Sequence, residues 1–185
     1  MTIFLVILII VVILVLSVIG IYNNLVSLRL RVKNAWAQID TQLKRRFDLI
    51  PNLVETVKGY AKHEEGTLTK VIEARNKYTA ATGSVEETAA ASNELTNCLK
   101  SIFALSEAYP ELQANENFKS LQIELSGTED KIAFARQFYN DTVQKYNESI
   151  MVFPNNIFAN MFGFKEEKFF EVTDEAQREA VKVQF

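Results

Sequence analysis

The chain has 185 residues and a net charge of -3, with 20 Lys or Arg, 23 Asp or Glu, one His and one Cys. A single cysteine excludes a disulfide-stapled fold and a cysteine-based metal framework. Beyond the first stretch the chain is rich in Ala, Glu, Lys, Leu and Gln and contains only three prolines, which favours one all-α domain. Residues 22–49 hold six Lys or Arg against two Asp or Glu, too small a basic stripe to favour nucleic acid over anionic lipid.

Residues 3–21 form an apolar segment interrupted only by Ser17 and Gly20. A helix of this length rises about 1.5 Å per residue and covers most of the roughly 30 Å hydrocarbon layer. A cleaved signal peptide is the alternative, but no basic residue precedes the segment, the segment is too long, and no A-x-A site follows it. The chain is therefore predicted to cross a membrane once, with spanning residues that include Ile3, Leu5, Ile10, Leu14 and Ile21.

Basic residues follow the span closely at Arg29, Arg31 and Lys33, whereas none precedes it. Positive charge favours the cytoplasmic side of a membrane, so we expect the N-terminus outside and the C-terminal domain in the cytoplasm. The same three residues are candidates for contact with lipid headgroups.

After the span, apolar side chains recur three and four residues apart, which predicts a helix with one buried face. Its members are Val32, Trp36, Ile39, Leu43, Phe47 and Ile50. Because proline is tolerated in the first turn of a helix and Asp48 suits the N-cap, a second helix is predicted to begin at Pro51. Its stripe continues through Leu53, Val57, Tyr60, Leu68, Val71 and Ile72.

A third helix is predicted to follow Gly83, because Ser84 and Glu87 have the spacing of a capping box, and to stop before Pro110. The fourth has the longest stripe: Phe118, Leu121, Leu125, Thr128, Ile132, Ala135, Tyr139, Thr142 and Tyr146. The other three helices could not each cover its length, which predicts self-association through helix faces. Gly127 inside it is either a local weak point or a site of close packing.

These patterns predict an antiparallel up-and-down four-helix bundle over residues 22–150, after an anchor over residues 1–21. Residues 151–185 form an aromatic C-terminal segment and tail. Because antiparallel helices return the fourth helix to the membrane, this segment either contacts lipid or closes the bundle. The candidate lipid contacts are Phe153, Phe158, Phe162 and Phe164, accompanied by Ile157 and Met161.

No residue set predicts catalysis, a metal site or a cofactor. His63 is the only histidine, and a metalloprotease helix would need a second one at position 67, which is Thr67. A di-iron bundle would need two Glu-x-x-His pairs, and the six glycines are too scattered for a phosphate-binding loop. We therefore expect a non-enzymatic protein in which His63 is a surface or hydrogen-bonded helix residue.

Lys44, Arg45 and Arg46 could bind an anionic partner, but three consecutive charges point around a helix. A solvated face, partly paired with acidic helices, is the favoured interpretation.

Trp36 lies about 22 Å beyond Ile21 along a helix, which predicts a place in the bundle core rather than at the membrane interface. The polar residues beside its stripe form either a core or interchain network or a plain surface. The candidates for helix–helix or interchain contact are Trp36, Gln38, Asp40, Asn52, Glu55, Leu121, Leu125, Ile132 and Tyr139.

Four strings of the sequence are specific: AWAQID at 35–40, QLKRRFDLIPNLVETVKGY at 42–60, TEDKIAFAR at 128–136 and FPNN at 153–156. Together they resemble the LemA family, and the resemblance extends over the whole chain. It implies a bacterial protein of the cytoplasmic (inner) membrane with a short outer N-terminus, one span and a four-helix domain. It implies no established enzymatic activity, and magnetosome-associated relatives suggest, by analogy, a role in organising membranes.

The expected function is that of a helical scaffold in the membrane that acts through self-association. The alternative is an adaptor or sensor that regulates a membrane enzyme such as a protease. The expected partners are the lipid bilayer and either further copies of the chain or other membrane proteins.

Overall fold

The computed structural model describes residues 1–61, 63–81 and 84–171, and within them it contains helices and no strand. The helices are α1 (Thr2–Tyr60), α2 (Glu65–Ala80), α3 (Val85–Ser106), α4 (Pro110–Ala114), α5 (Glu116–Met151) and α6 (Asn155–Phe162). The all-α class is thereby confirmed. The chain divides into two compact units. The first comprises Met1–Asp40 and Phe134–Phe169, and the second Thr41–Ala133 with Phe170 and Glu171 of the described residues.

The predicted helix start at Pro51 is wrong, because α1 continues through Pro51 to Tyr60. Proline inside a helix loses a backbone hydrogen bond and costs about 3 kcal/mol. Ile50, Leu53 and Val57 around it are fully buried in the second unit, so their packing offsets that cost while Pro51 itself faces solvent. The second helix begins only after residues 61–64, at Glu65.

The predicted start of α3 is confirmed. The Ser84 hydroxyl accepts a hydrogen bond from the Glu87 backbone N–H at 3.1 Å, which satisfies one of the free donors at the start of the helix. The Gly83 prediction lies outside the described residues. Pro110, placed after the predicted end of this helix, begins the short α4.

The second unit contains a continuous apolar core drawn from α1, α2, α3, α4 and α5, which includes Ile50, Val57, Val71, Leu95, Ile102, Leu112 and Phe118. α2 and α3 are antiparallel: Lys77 pairs with Glu94 at 2.7 Å, and Cys98 Sγ lies 3.8 Å from the Lys70 carbonyl. Burial raises the pKa of the Cys98 thiol.

The predicted stripe of α5 is confirmed as a buried face. Phe118, Leu125, Thr128 and Ile132 are buried in the second unit, and Tyr139, Thr142 and Tyr146 in the first. Gly127 needs no close contact, since a Cβ there would meet no atom of the described residues within 4 Å. It therefore acts as a local weak point, about 1 kcal/mol less favourable than Ala.

Candidate functional site

The apolar beginning of α1 is the first candidate surface. Its large side chains are exposed from Ile3 to Leu16 and at Ile19, whereas Val18 and Ile21 are half-buried. The 18-residue window there has a mean hydropathy of 3.6 and buries none of its residues within the chain. By length and composition, this helix can cross a membrane.

The aromatic segment lies beside the end of this apolar stretch, within the first unit. The Tyr22 ring packs edge-on against Phe162, with ring centroids 5.0 Å apart, and against Phe164 at 5.9 Å. Phe158 and Phe164 are half-buried, whereas Phe153 and Phe162 are exposed. α6 ends at Gly163, whose φ of 72° favours glycine, and the Phe164 N–H donates back to the Ala159 carbonyl at 2.9 Å.

The chain after α6 is held to α5 by a side-chain clamp. The Asn147 amide donates to the Glu167 carbonyl and accepts from the Glu167 N–H, both at 2.9 Å. The hydroxyls of Tyr146 and Tyr139 donate to the carbonyls of Lys165 and Lys168 at 2.9 Å. Burial raises the pKa of the Tyr146 hydroxyl. Arg29 adds a 3.7 Å ion pair with Glu167, which lies in this same clamped segment.

A buried arginine of α1 connects three helices of the second unit by hydrogen bonds. Arg46 is 1% exposed, and its Nη1 donates to Thr96 Oγ1 at 2.8 Å and to the Glu129 carboxylate. Its Nη2 donates to the Ser92 hydroxyl at 2.8 Å and to the Ser92 carbonyl at 3.1 Å. Four of its five N–H donors are thus satisfied by α3 and α5, and its Nε has no partner among the described residues.

The predicted solvated face is therefore wrong at Arg46. Lys44 and Arg45 are exposed, and Arg45 pairs with Glu124 of α5 at 2.8 Å, so the predicted pairing with acidic residues is confirmed. The sequence does contain a signal for Arg46: alternate steps of four and three from Ile39 lead through Leu43 to position 46 and on to Ile50. A charge at such a core position needs partners on the facing helices.

The polar candidates beside the α1 stripe do not form a core network. Gln38, Asp40, Asn52 and Glu55 are all exposed within the chain, so an interchain network stays a prediction. Trp36 is half-buried, and its ring packs against that of Tyr139 with centroids 5.5 Å apart. Arg31 and Lys33 are exposed, as the lipid-headgroup prediction requires of them.

The α5 stripe is covered by the chain itself, which removes it as the surface for self-association. Leu125, Ile132 and Tyr139 are buried, and Leu121 is half-buried against the core of the second unit. The opposite face of α5 has the exposed apolar side chains. In the first unit these are Phe134, 74% exposed, and Phe138, 53% exposed, one turn apart; in the second unit Ile123 is exposed.

His63 is exposed in the turn after α1 rather than on a helix, so only the surface part of its prediction is confirmed. Among the described residues, no group of three or more His, Cys, Asp or Glu side chains could hold a metal ion.

Over the residues that the structure describes, these features define a helical protein with one N-terminal helix able to span a membrane, and with exposed apolar groups beyond that helix. The profile of the LemA family matches residues 35–185, and the chain belongs to this family.

The chain is also similar to curated relatives. It is 26% identical to the protein LemA of Metamycoplasma hominis over 160 residues, 84% of this chain and 71% of that protein. It is 35% identical to the magnetosome protein MamQ 2 of Paramagnetospirillum magneticum over 75 residues, 40% of this chain and 28% of that protein. It thus matches little more than a quarter of the length of that magnetosome relative.

Proposed function

We propose that this protein is a non-catalytic helical scaffold, anchored in the membrane by α1, which organises the membrane by associating with copies of itself. The observation that carries the proposal is the pair Phe134 and Phe138, one turn apart and both more than half exposed on α5. Large apolar groups grouped on the surface of a protein typically mark an interaction site. The similarity to a protein named as a magnetosome protein supports, by analogy, a role in organising membranes.

We also propose that α1, α2, α3 and α5 form the antiparallel up-and-down four-helix bundle. Contacts within the second unit support it, because the residue numbers of contacting pairs run in opposite directions. Phe103 packs against Phe118, whereas the earlier Thr96 contacts the later Glu129. Short connections between such helices favour antiparallel neighbours.

Self-association can be tested by cross-linking the full-length protein in native membranes. A substitution of both Phe134 and Phe138 by Asp is expected to remove the ladder of cross-linked oligomers. Burying one Phe contributes about 1.5–3 kcal/mol, so association should weaken more than about tenfold per residue lost. The control is Gln137→Asp, which adds a charge to the same exposed face without removing an apolar group, and it should retain the ladder.

Only monomer bands from the unsubstituted protein, with several cross-linkers, would contradict the scaffold. In that case we would expect Phe134 and Phe138 to bind a different membrane protein, as the adaptor alternative requires. A ladder that survives in the double variant would show that another surface carries the association.

The proposed orientation places everything after the span in the cytoplasm, on the basis of the exposed Arg29, Arg31 and Lys33. In a Cys98→Ser background, Thr2→Cys should react with a membrane-impermeant maleimide in intact cells. Ser101→Cys, on the exposed face of α3, should react only after lysis. Labelling of Ser101→Cys in intact cells would invert the orientation.

A further inference from the structure

We propose that α6 and the two residues before Pro154 insert into the interface of the bilayer that holds α1, as a second and non-spanning membrane contact. The occupant of their exposed apolar face is the boundary between headgroups and acyl chains. This requires α1 to be inserted in a bilayer, but it does not require the self-association proposed above.

The exposed face of this segment is apolar and dense. Phe153 is 79% exposed, Met161 61% and Ile157 54%, and Val152 and Phe162 are also exposed. No charged side chain occurs from residue 149 to residue 164. A patch of this kind is rare on a surface that faces water alone. It has the composition of a segment that lies in a membrane interface.

The position of the segment beside the membrane-spanning part of α1 indicates that lipid covers its exposed apolar face. With residues 3–21 in the hydrocarbon layer, Tyr22 lies at its edge, where aromatic rings are enriched. The Phe162 ring is in edge-on contact with Tyr22, at a centroid distance of 5.0 Å. Through this contact α6 lies beside the residue at which α1 leaves the hydrocarbon layer, at the depth of the lipid headgroups.

The segment is held rigidly enough to present that face. Ala159 is buried, Gly163 terminates α6 with a backbone turn, and the Asn147 amide fixes Glu167 through both of its backbone groups. These contacts are made by the side of the segment that faces the rest of the first unit, so Ile157 and Met161 on the other side stay exposed. The alternative interpretation, in which the segment closes the core, does not account for the exposure of these two side chains and of Phe153.

The test places a tryptophan on α6 of the full-length protein. Ile157→Trp, in a Trp36→Phe background, is reconstituted into phosphatidylethanolamine and phosphatidylglycerol vesicles that contain lipids brominated in the acyl chain. The ring should lose about half of its emission relative to unbrominated vesicles, because interfacial helices bury their apolar face about 5–10 Å into the headgroup boundary.

The matched control is Phe134→Trp, an exposed apolar position of the same unit. Tyr139 of the same helix packs against Trp36, which lies about 21 Å beyond Tyr22 along α1. Phe134→Trp should therefore keep its emission. If Ile157→Trp does not fold, Met161→Trp takes its place as the probe on α6, and the same loss of emission is expected from it. Unquenched emission from both α6 positions, or equal quenching at Phe134→Trp, would overturn the proposal. Quenching that appears only after the protein is diluted in lipid would show that another copy of the chain covers this face in the undiluted protein, and would also overturn the proposal.

Discussion

Replacing Arg46 by Ala is expected to lower the free energy of unfolding by about 3–5 kcal/mol, because breaking a buried ion pair leaves its partners uncompensated. The loss removes four hydrogen bonds at once and leaves the Glu129 carboxylate without its strongest partner. Since Glu129 is partly exposed, water recovers some of that loss, and the lower end of the range is the better expectation. Thermal unfolding of the full-length protein in mild detergent, followed by circular dichroism, should show a midpoint about 6–12 °C lower.

The matched control is the neighbouring arginine. Arg45 also pairs with a glutamate of α5, but both side chains are near half-exposed. Surface ion pairs contribute about 0–1 kcal/mol, so Arg45→Ala should change the midpoint little. A double substitution of Arg46 and Glu129 by Met should recover part of the loss, since apolar residues of similar volume often replace a buried pair without penalty. Equal effects of Arg46→Ala and Arg45→Ala would contradict the role assigned to Arg46.

Replacing Asn147 by Leu is expected to release the chain after α6 from α5. The substitution leaves the N–H and the carbonyl of Glu167 without their partner, and a polar group left unpaired in a buried site costs about 1–3 kcal/mol. A local loss of only 1.4 kcal/mol raises the population of the open state tenfold. Trypsin should therefore cleave after Lys165 and Lys168 at least about tenfold faster than in the unsubstituted protein.

Gln144→Leu provides the comparison on the same helix, because it removes an exposed amide that donates to the Glu148 side chain at 2.8 Å. Its effect on cleavage should be small, as expected for a surface position. Cleavage that is unchanged in Asn147→Leu would show that Tyr146 and Tyr139 hold the segment without the amide. In that case Tyr146→Phe should accelerate cleavage instead.

Several features follow from local sequence. The apolar segment of residues 3–21 is recognisable because membrane insertion depends on composition and length, not on neighbours. The start of α3 is fixed by the Ser84 cap, a contact three residues long. The buried face of α5 follows from helical periodicity alone. The absence of a second histidine near His63 was also visible directly in the chain.

The remaining features cannot be predicted from local sequence, because each depends on residues that are distant in the chain and meet only in the folded protein. Pro51 would end an isolated helix. α1 nevertheless continues, because the residues on either side of Pro51 pack into a core that includes residues of other helices. Arg46 has the local sequence of a surface charge, and its burial depends on contacts with Ser92 of α3 and Glu129 of α5. Asn147 gives no local sign that it will pair with Glu167, 20 residues later. The long α5 stripe predicts a partner chain, whereas other parts of the same chain cover it, since burial is set by what the fold brings into contact.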